Sequence, residues 1–338
     1  MIFSTQLAHL PSPGRAHQCS PRRTHQRQGN ALCHVRQTRL QIRSGPADSA
    51  KIKTRRPAVV VSNEPVCVNG LNRLLVFKPT DGEDLEYAAG NVMALTLPGE
   101  NEDGKELRGP YTVSEGDADT FSMLYRIVKG GRKTPLFAQL EEGAEVTFDG
   151  RYHDPIIVEA QSVVGGSLPT AVVGISTGSG VGPLWGFAKE FVKEVEGDEG
   201  RGASVRLFCG YREREDICMQ SDMDDLQSTS GGVFSWEATL TSPPEDWHGL
   251  KGRVTDPAVV AEFVRGLGED IEASLQTTHF HLVGNGGMLA ELKQGLALAG
   301  VPKERVTIEV YFNYSAEAEQ SVVQGIADTL LAGKTAAA

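Results

Sequence analysis

The chain has 338 residues, a net charge of −11 and a mean hydropathy of −0.24, a length that suits about two domains. No apolar run approaches the ~20 residues that cross a bilayer, so no membrane span is expected. Charge is unevenly spread: residues 1–56 hold eleven basic residues and one acid, Asp48, which leaves 22 basic against 43 acidic residues, or −21, over residues 57–338.

Taken in chain order, residues 1–56 read as an organelle transit segment, being basic, acid-poor and rich in Ser and Gln. A chloroplast destination is preferred to a mitochondrial one. The rival reading is a basic arm for nucleic acid, but no basic stripe follows residue 57, so a nucleic-acid partner is not expected. Residues 57–164 carry short Val-, Leu-, Phe- and Tyr-rich runs (AVVVSNEPVCV, NRLLVFKP, NVMALTLPG, PYTVSE, FSMLYRIVKG, AEVTFDG) parted by Gly, Asn, Asp and Pro. That spacing predicts an antiparallel barrel or sandwich, with a hinge at SVVGGSLP.

Over residues 165–314 the rhythm changes to strands alternating with helices, which predicts a doubly wound parallel sheet. TAVVGIST, SVRLFCG, VFSWEATLT, THFHLVGNG and RVTIEVYF are the strands; LWGFAKEFVKEVEG, PAVVAEFVRGLGEDI and GMLAELKQGLALAG are the helices. The acidic runs EGDEG and DMDD read as solvated loops. Residues 315–338 form a C-terminal extension, with Val322, Val323, Ile326 and Leu330 on one possible helical face. Cys19, Cys33, Cys67, Cys209 and Cys218 form no CxxC pair and no iron–sulfur spacing. Disulfides are not indicated, and any redox chemistry needs a non-covalent cofactor or a partner.

Two glycine clusters mark the parallel sheet. GSGVGP (Gly178 to Pro183) follows a strand and opens a helix, where backbone N–H groups can approach a phosphate. Pro183 suits a first helical turn. VGNGGM (Val283 to Met288) repeats that setting, and two such turns at strand ends mark a crevice for a dinucleotide. Tight packing is the plain alternative for each. In LRGPYTVSEG, Arg108 offers a guanidinium for phosphate, Tyr111 a ring for stacking and Thr112 a hydroxyl. Strand alternation places Arg108, Pro110 and Thr112 on one side and Tyr111 on the other. His279 and His281 share a strand face, but no third metal ligand lies in sequence reach, so they read as packing or surface residues.

The order of these motifs resembles the ferredoxin–NADP reductase superfamily: an antiparallel Greek-key flavin-binding barrel, then a doubly wound NAD(P)-binding domain. RGPYTVS resembles the family's flavin motif with one extra residue before Tyr. The resemblance implies that Arg108 holds the FAD diphosphate, Tyr111 covers the flavin ring, Thr112 faces its reactive nitrogen, and Ser114 belongs to the same motif. GGRKTPL resembles the second flavin motif and implies that Gly131 and Thr134 hold the diphosphate. STGSGVGPL implies a nicotinamide and pyrophosphate turn from Thr177, Gly178, Gly180 and Pro183. Arg212 of LFCGYREREDI, and Gly284 and Met288 of VGNGGM, resemble further nucleotide-binding positions. RVTIEVY resembles the end of plant-type members and implies catalytic roles for Glu309, as a proton-relay or electrostatic residue, and Tyr311, on the other flavin face. Three departures stand out: Val283 replaces a usual Cys, residues follow Tyr311, and TSPPEDWHGLKGRV lacks the Ser-Arg grip on a 2′-phosphate.

The implied activity is an FAD-dependent NAD(P)H oxidoreductase that passes electrons to a protein or small-molecule acceptor such as a quinone or haem protein. A true ferredoxin–NADP reductase is the alternative, disfavoured because −21 over residues 57–338 would repel an acidic ferredoxin. A non-catalytic flavin- or nucleotide-binding regulator, with residues 315–338 plugging the hydride site, is the second alternative.

Overall fold

The computed structural model describes residues 54–100, 104–196, 202–268 and 270–332; the transit reading falls mainly on residues 1–53, outside the described residues. Strand β1 (Arg56–Pro65) begins inside the expected leader, and Arg56 is ion-paired with Asp81 at 2.7 Å. The folded body therefore starts slightly before residue 57.

Six further strands complete an antiparallel sheet: β2 (Asn72–Pro79), β3 (Val92–Glu100), β4 (Glu106–Thr112), β5 (Glu115–Gly116), β6 (Phe121–Arg126) and, after a one-turn helix α1 (Thr134–Phe137), β7 (Glu145–Asp149). Their order is β4-β3-β7-β1-β2-β6-β5, so β7 crosses over to pair with both β1 and β3. Alternation explains the core. Leu75 and Phe77 of β2 point inward with Met93, Phe121 and Phe148. Phe121 packs against Phe77 and Phe148 at centroid distances of 5.1 and 4.8 Å, within the range favoured by offset and tilted rings.

Helix α2 (Ile156–Val163) leads from this sheet into the second lobe, and the chain then turns through Gly165 and Gly166, both at positive φ. There follow β8 (Ala171–Thr177), α3 (Val181–Val195), β9 (Ser204–Tyr211), α4 (Gln220–Thr229), β10 (Phe234–Leu240), β11 (Leu250–Lys251), α5 (Pro257–Val264), α6 (Ile271–Thr277), β12 (His279–Asn285), α7 (Gly286–Leu298), β13 (Val306–Phe312) and α8 (Gln320–Ala332). All strands are parallel in the order β11-β10-β9-β8-β12-β13. Helices cover both faces, so β8 and β12 are buried along nearly their whole length and read as continuous apolar runs. The order reverses at β8: β9 and β10 lie to one side, β12 and β13 to the other. A crevice opens at such a switch point, beyond the strand carboxyl ends.

Two expectations are corrected. PAVVAEFVRGLGEDI is helical only over α5, because Gly266 and Gly268 adopt φ of +81° and +125°, which no continuing helix permits; α6 starts at its last residue, Ile271. The DMDD run is not a loop but part of α4, which buries Met223 against the core while its acids face solvent. The apolar positions of the extension form the expected helical face, and Ala316 lies beside Gly287 at the start of α7. Helix α8 buries Val323, Ile326, Ala327 and Leu330 against α5 and α7, and Ile326 lies where any Cβ on Gly295 would stand.

The two lobes meet through α3. Gly182 and Gly186 are one turn apart on one helix face; a Cβ on either would overlap Ser114, and Leu124 and Ala89 complete the seat. Close backbone approach here requires glycine.

Candidate functional site

At the switch point the two glycine turns face each other. The backbone N–H of Asn285 donates to Thr177 Oγ1 at 3.3 Å, and a Cβ at Gly284 (φ +132°) would overlap that same hydroxyl. Gly180 packs against the carbonyl of Val283, where a Cβ would stand 2.9 Å from the oxygen. Asn285 caps α7 by accepting from Gly287 N at 2.8 Å. Thr177, Gly180 and Gly284 therefore stand together at one mouth, with Gly178 next to Thr177. Pro183 is buried in the first turn of α3. Met288 lies on the buried face of α7, and Arg212 stands at the surface with its side chain 76% exposed, beside Glu213.

A second cluster gathers on the antiparallel sheet. Lys133 Nζ donates to the carbonyl of Arg108 at 2.6 Å and lies across Gly109, so the two motifs implied to hold FAD adjoin in space. Thr134 Oγ1 accepts from Val128 N, and Gly131 N from its side of the same turn donates to the Val128 carbonyl. The ring of Tyr111 meets Phe137 edge-on at 4.9 Å, and burial pushes its phenol pKa up. Arg108 is already engaged: Nη2 donates to Asp149 at 2.6 Å and Nε at 3.3 Å, and Tyr152 donates to the same carboxylate. The pair with Asp149 holds the guanidinium's proton more tightly.

FAD fits this set in part. A guanidinium, an ammonium, the Thr134 hydroxyl and a glycine turn suit a diphosphate, and Nη1 of Arg108 takes no part in the bonds to Asp149 and Tyr152. Asp149 is an opposing charge that the bound diphosphate would share Arg108 with.

The lobes join chemically at Thr112, whose hydroxyl bonds the Glu309 carboxyl of β13. Burial, countered by the Thr112 bond and reinforced by Glu159, pushes the Glu309 pKa up to about 8. Glu309 therefore holds a proton more readily than an ordinary carboxyl, beside the Thr112 hydroxyl. Tyr311, two residues on and half-buried, has its pKa raised by burial and by Glu309, and its carbonyl accepts from the Tyr314 hydroxyl at 2.9 Å. Phe312 and Tyr314, the rival rings, are largely exposed. Thr112, Glu309 and Tyr311, expected from different ends of the sequence, stand together.

Ser114 departs from its expected place. It is fully buried, its hydroxyl accepts from Leu124 N at 2.9 Å, and it supports α3. It packs the lobes together, a role its motif does not imply. Sequence reasoning missed Asp149, Tyr152 and Glu159; nothing in their local pattern distinguishes them from surface polar residues. Lys133 lay inside a quoted motif, and Asn285 precedes a helix start as a cap should. His279 and His281 are buried in β12, both bonded to Thr307 Oγ1. Among the described residues no group of three His, Cys, Asp or Glu surrounds them.

Residues 175–294 match the family described as Oxidoreductase NAD-binding domain. NADH-cytochrome b5 reductase 1 of Cryptococcus neoformans is 25% identical over 204 residues, covering 60% of this chain and 65% of that protein. Nitrate reductase [NADPH] of Pichia angusta is 27% identical over 40% of this chain and 16% of its own. The chain thus spans just under two thirds of the length of the cytochrome b5 reductase it matches. Among solved structures, Amycolatopsis cytochrome P450 reductase GcoB superposes with a TM-score of 0.61 at 20% identity over 77% of this chain and 71% of that one. The CS-b5R domains of human Ncb5or in the NAD+ form give 0.61 at 19% over 78% and 71%.

Proposed function

We propose that this chain, which has the two-lobed fold of the ferredoxin–NADP reductase superfamily and an oxidoreductase NAD-binding domain at residues 175–294, is an FAD-dependent NAD(P)H oxidoreductase. It passes electrons from NAD(P)H through FAD to an acceptor. The observation that supports this most is the Thr112–Glu309 bond, which sets a proton-bearing pair between the antiparallel sheet and the glycine mouth.

FAD, when bound, would supply hydride acceptance and the release of electrons singly or in pairs. The chain's own residues do the rest. Arg108, Lys133, Gly131 and Thr134 hold the diphosphate. Tyr111 and Tyr311 bound the ring site and exclude water. Thr177, Gly178, Gly180 and Gly284 seat the dinucleotide at the switch point. Thr112 Oγ1 and Glu309 Oε1 hold the proton. Val283, buried beside Glu309 in register, contributes shape in place of a thiol.

A haem protein is the acceptor class favoured here. It agrees with the relatives' printed names and with the net −21 over residues 57–338, which disfavours an acidic ferredoxin. The basic composition of residues 1–56 supports delivery to an organelle, a plastid in this reading. The non-catalytic reading draws on two observations: Arg108 is tied to Asp149, and the carbonyl of Asn313 lies where a Cβ on Gly286 would stand, so the chain after β13 passes over the start of α7.

The test uses the full chain reconstituted with FAD and supplied with NADH or NADPH and, separately, a cytochrome b5-type haem protein, an acidic ferredoxin and a soluble quinone. Fastest reduction of the haem protein is expected. Preference for ferredoxin would favour the alternative, and bound flavin without any turnover would favour the regulator.

A further inference from the structure

Behind the Thr112–Glu309 pair lies a small cleft lined by His153 and Asp154 from the segment before α2, Glu159 of α2, His281 from β12, and Glu309 from β13. It encloses about 20 Å³, room for a water and too little for an organic ligand. The groups are graded from outside in: Asp154 is exposed, Glu159 and Glu309 are half-buried, and His281 is 3% exposed. His281 Nδ1 bonds Thr307 Oγ1, which also bonds His279, but its Nε2 is buried with no protein partner. A buried ring nitrogen rarely stays unpaired; a water in this cleft would satisfy it.

We propose that this cleft is a water-filled proton port, in which Glu159 and the free Nε2 of His281 hold a water against Glu309 and pass a proton between the Thr112–Glu309 pair and solvent. It rests on the functional reading above. Oxidation of one NAD(P)H by two one-electron acceptors yields NAD(P)+, two electrons and one proton. The electrons leave to the acceptor; the proton needs its own way out. Thr112 Oγ1, Glu309, the water, Glu159 and the mouth at Asp154 form that way.

The electrostatics suit the task. Burial, then Asp154, pushes Glu159 up to about 7, and Glu309 stands at about 8, so both exchange protons near neutrality. Burial, then His279, pushes His281 down to about 3, which keeps it neutral, an orienter of water rather than a carrier. Other titratable groups nearby are His153, lowered by burial, Tyr311 and Tyr314, and Arg305, which acts on His279.

Glu159→Gln in the full chain is the test, with Glu159→Asp as the rescue. The first readout is infrared titration of carboxyl bands in cofactor-free protein. Removing the Glu159 charge should lower the Glu309 midpoint from about 8, since Glu159 raises it; Glu159→Asp should restore part of the shift. The second is proton release, followed with a pH indicator in flavin-loaded protein during NAD(P)H oxidation. It should slow about tenfold, below the 10²–10⁴ typical of a direct acid or base. An unmoved Glu309 midpoint, or unslowed proton release, would overturn the port. Protein that takes up no flavin would instead overturn the functional reading, and the port's role with it, even where the infrared coupling is present.

Discussion

Gly186→Ala should destabilise the protein by about 3 kcal/mol and part the two lobes, although Gly to Ala within a helix ordinarily gains about 1 kcal/mol. The reversal comes from what the methyl meets. At Gly186 it overlaps the backbone carbonyl of Ser114 and comes within 3.0 Å of the Ala89 Cβ. A backbone carbonyl cannot rotate aside as a side chain can, so either α3 retreats or the Ser114 turn does. Both moves would also pull Thr112, two residues before Ser114, away from Glu309. Gly325→Ala in α8 is the control, because nothing lies within 4 Å of its added Cβ. Urea unfolding midpoints measure both. A Gly186→Ala protein stabilised as much as Gly325→Ala would show that the lobes do not pack through α3.

Arg108→Ala should weaken FAD binding about 10- to 100-fold, the loss of one or two charge-assisted hydrogen bonds worth roughly 1.5–3 kcal/mol. Asp149→Asn should act in the opposite direction. Asp149 is 7% exposed at its side chain and holds Arg108 at 2.6 Å; neutralising it releases the guanidinium for a diphosphate and removes a charge that repels one. Opposite signs from two partners of one ion pair separate a cofactor role from a structural one, since loss of a purely structural pair would weaken binding in both. FAD titration followed by flavin fluorescence measures each variant. Wild-type affinity in Arg108→Ala would remove Arg108 from the diphosphate site.

The fold was legible where side-chain period and burial coincide. NRLLVFKP alternates because β2 has one face on the core, and TAVVGIST is continuous because β8 is covered on both. Both glycine turns were readable because positive φ and close approach at Gly178 and Gly284 leave few other residues usable. What stayed hidden depended on residues distant in sequence. No local pattern says that Asp149 meets Arg108, that Glu159 borders Glu309, or that Ser114 accepts from Leu124. α4 was missed because its acids outnumber its apolar contacts, Met223 and Leu226. The end of α5 at Val264 was not legible because its apolar periodicity outweighed the two glycines that follow.

The measurement that tests the central claim most directly is the visible spectrum of the full chain reconstituted with FAD, titrated without oxygen by NADH and separately by NADPH. The account predicts a bound-flavin spectrum that bleaches with one of the two nucleotides at near-stoichiometric addition. A flavin spectrum that neither nucleotide alters, or no bound flavin at all, would contradict it.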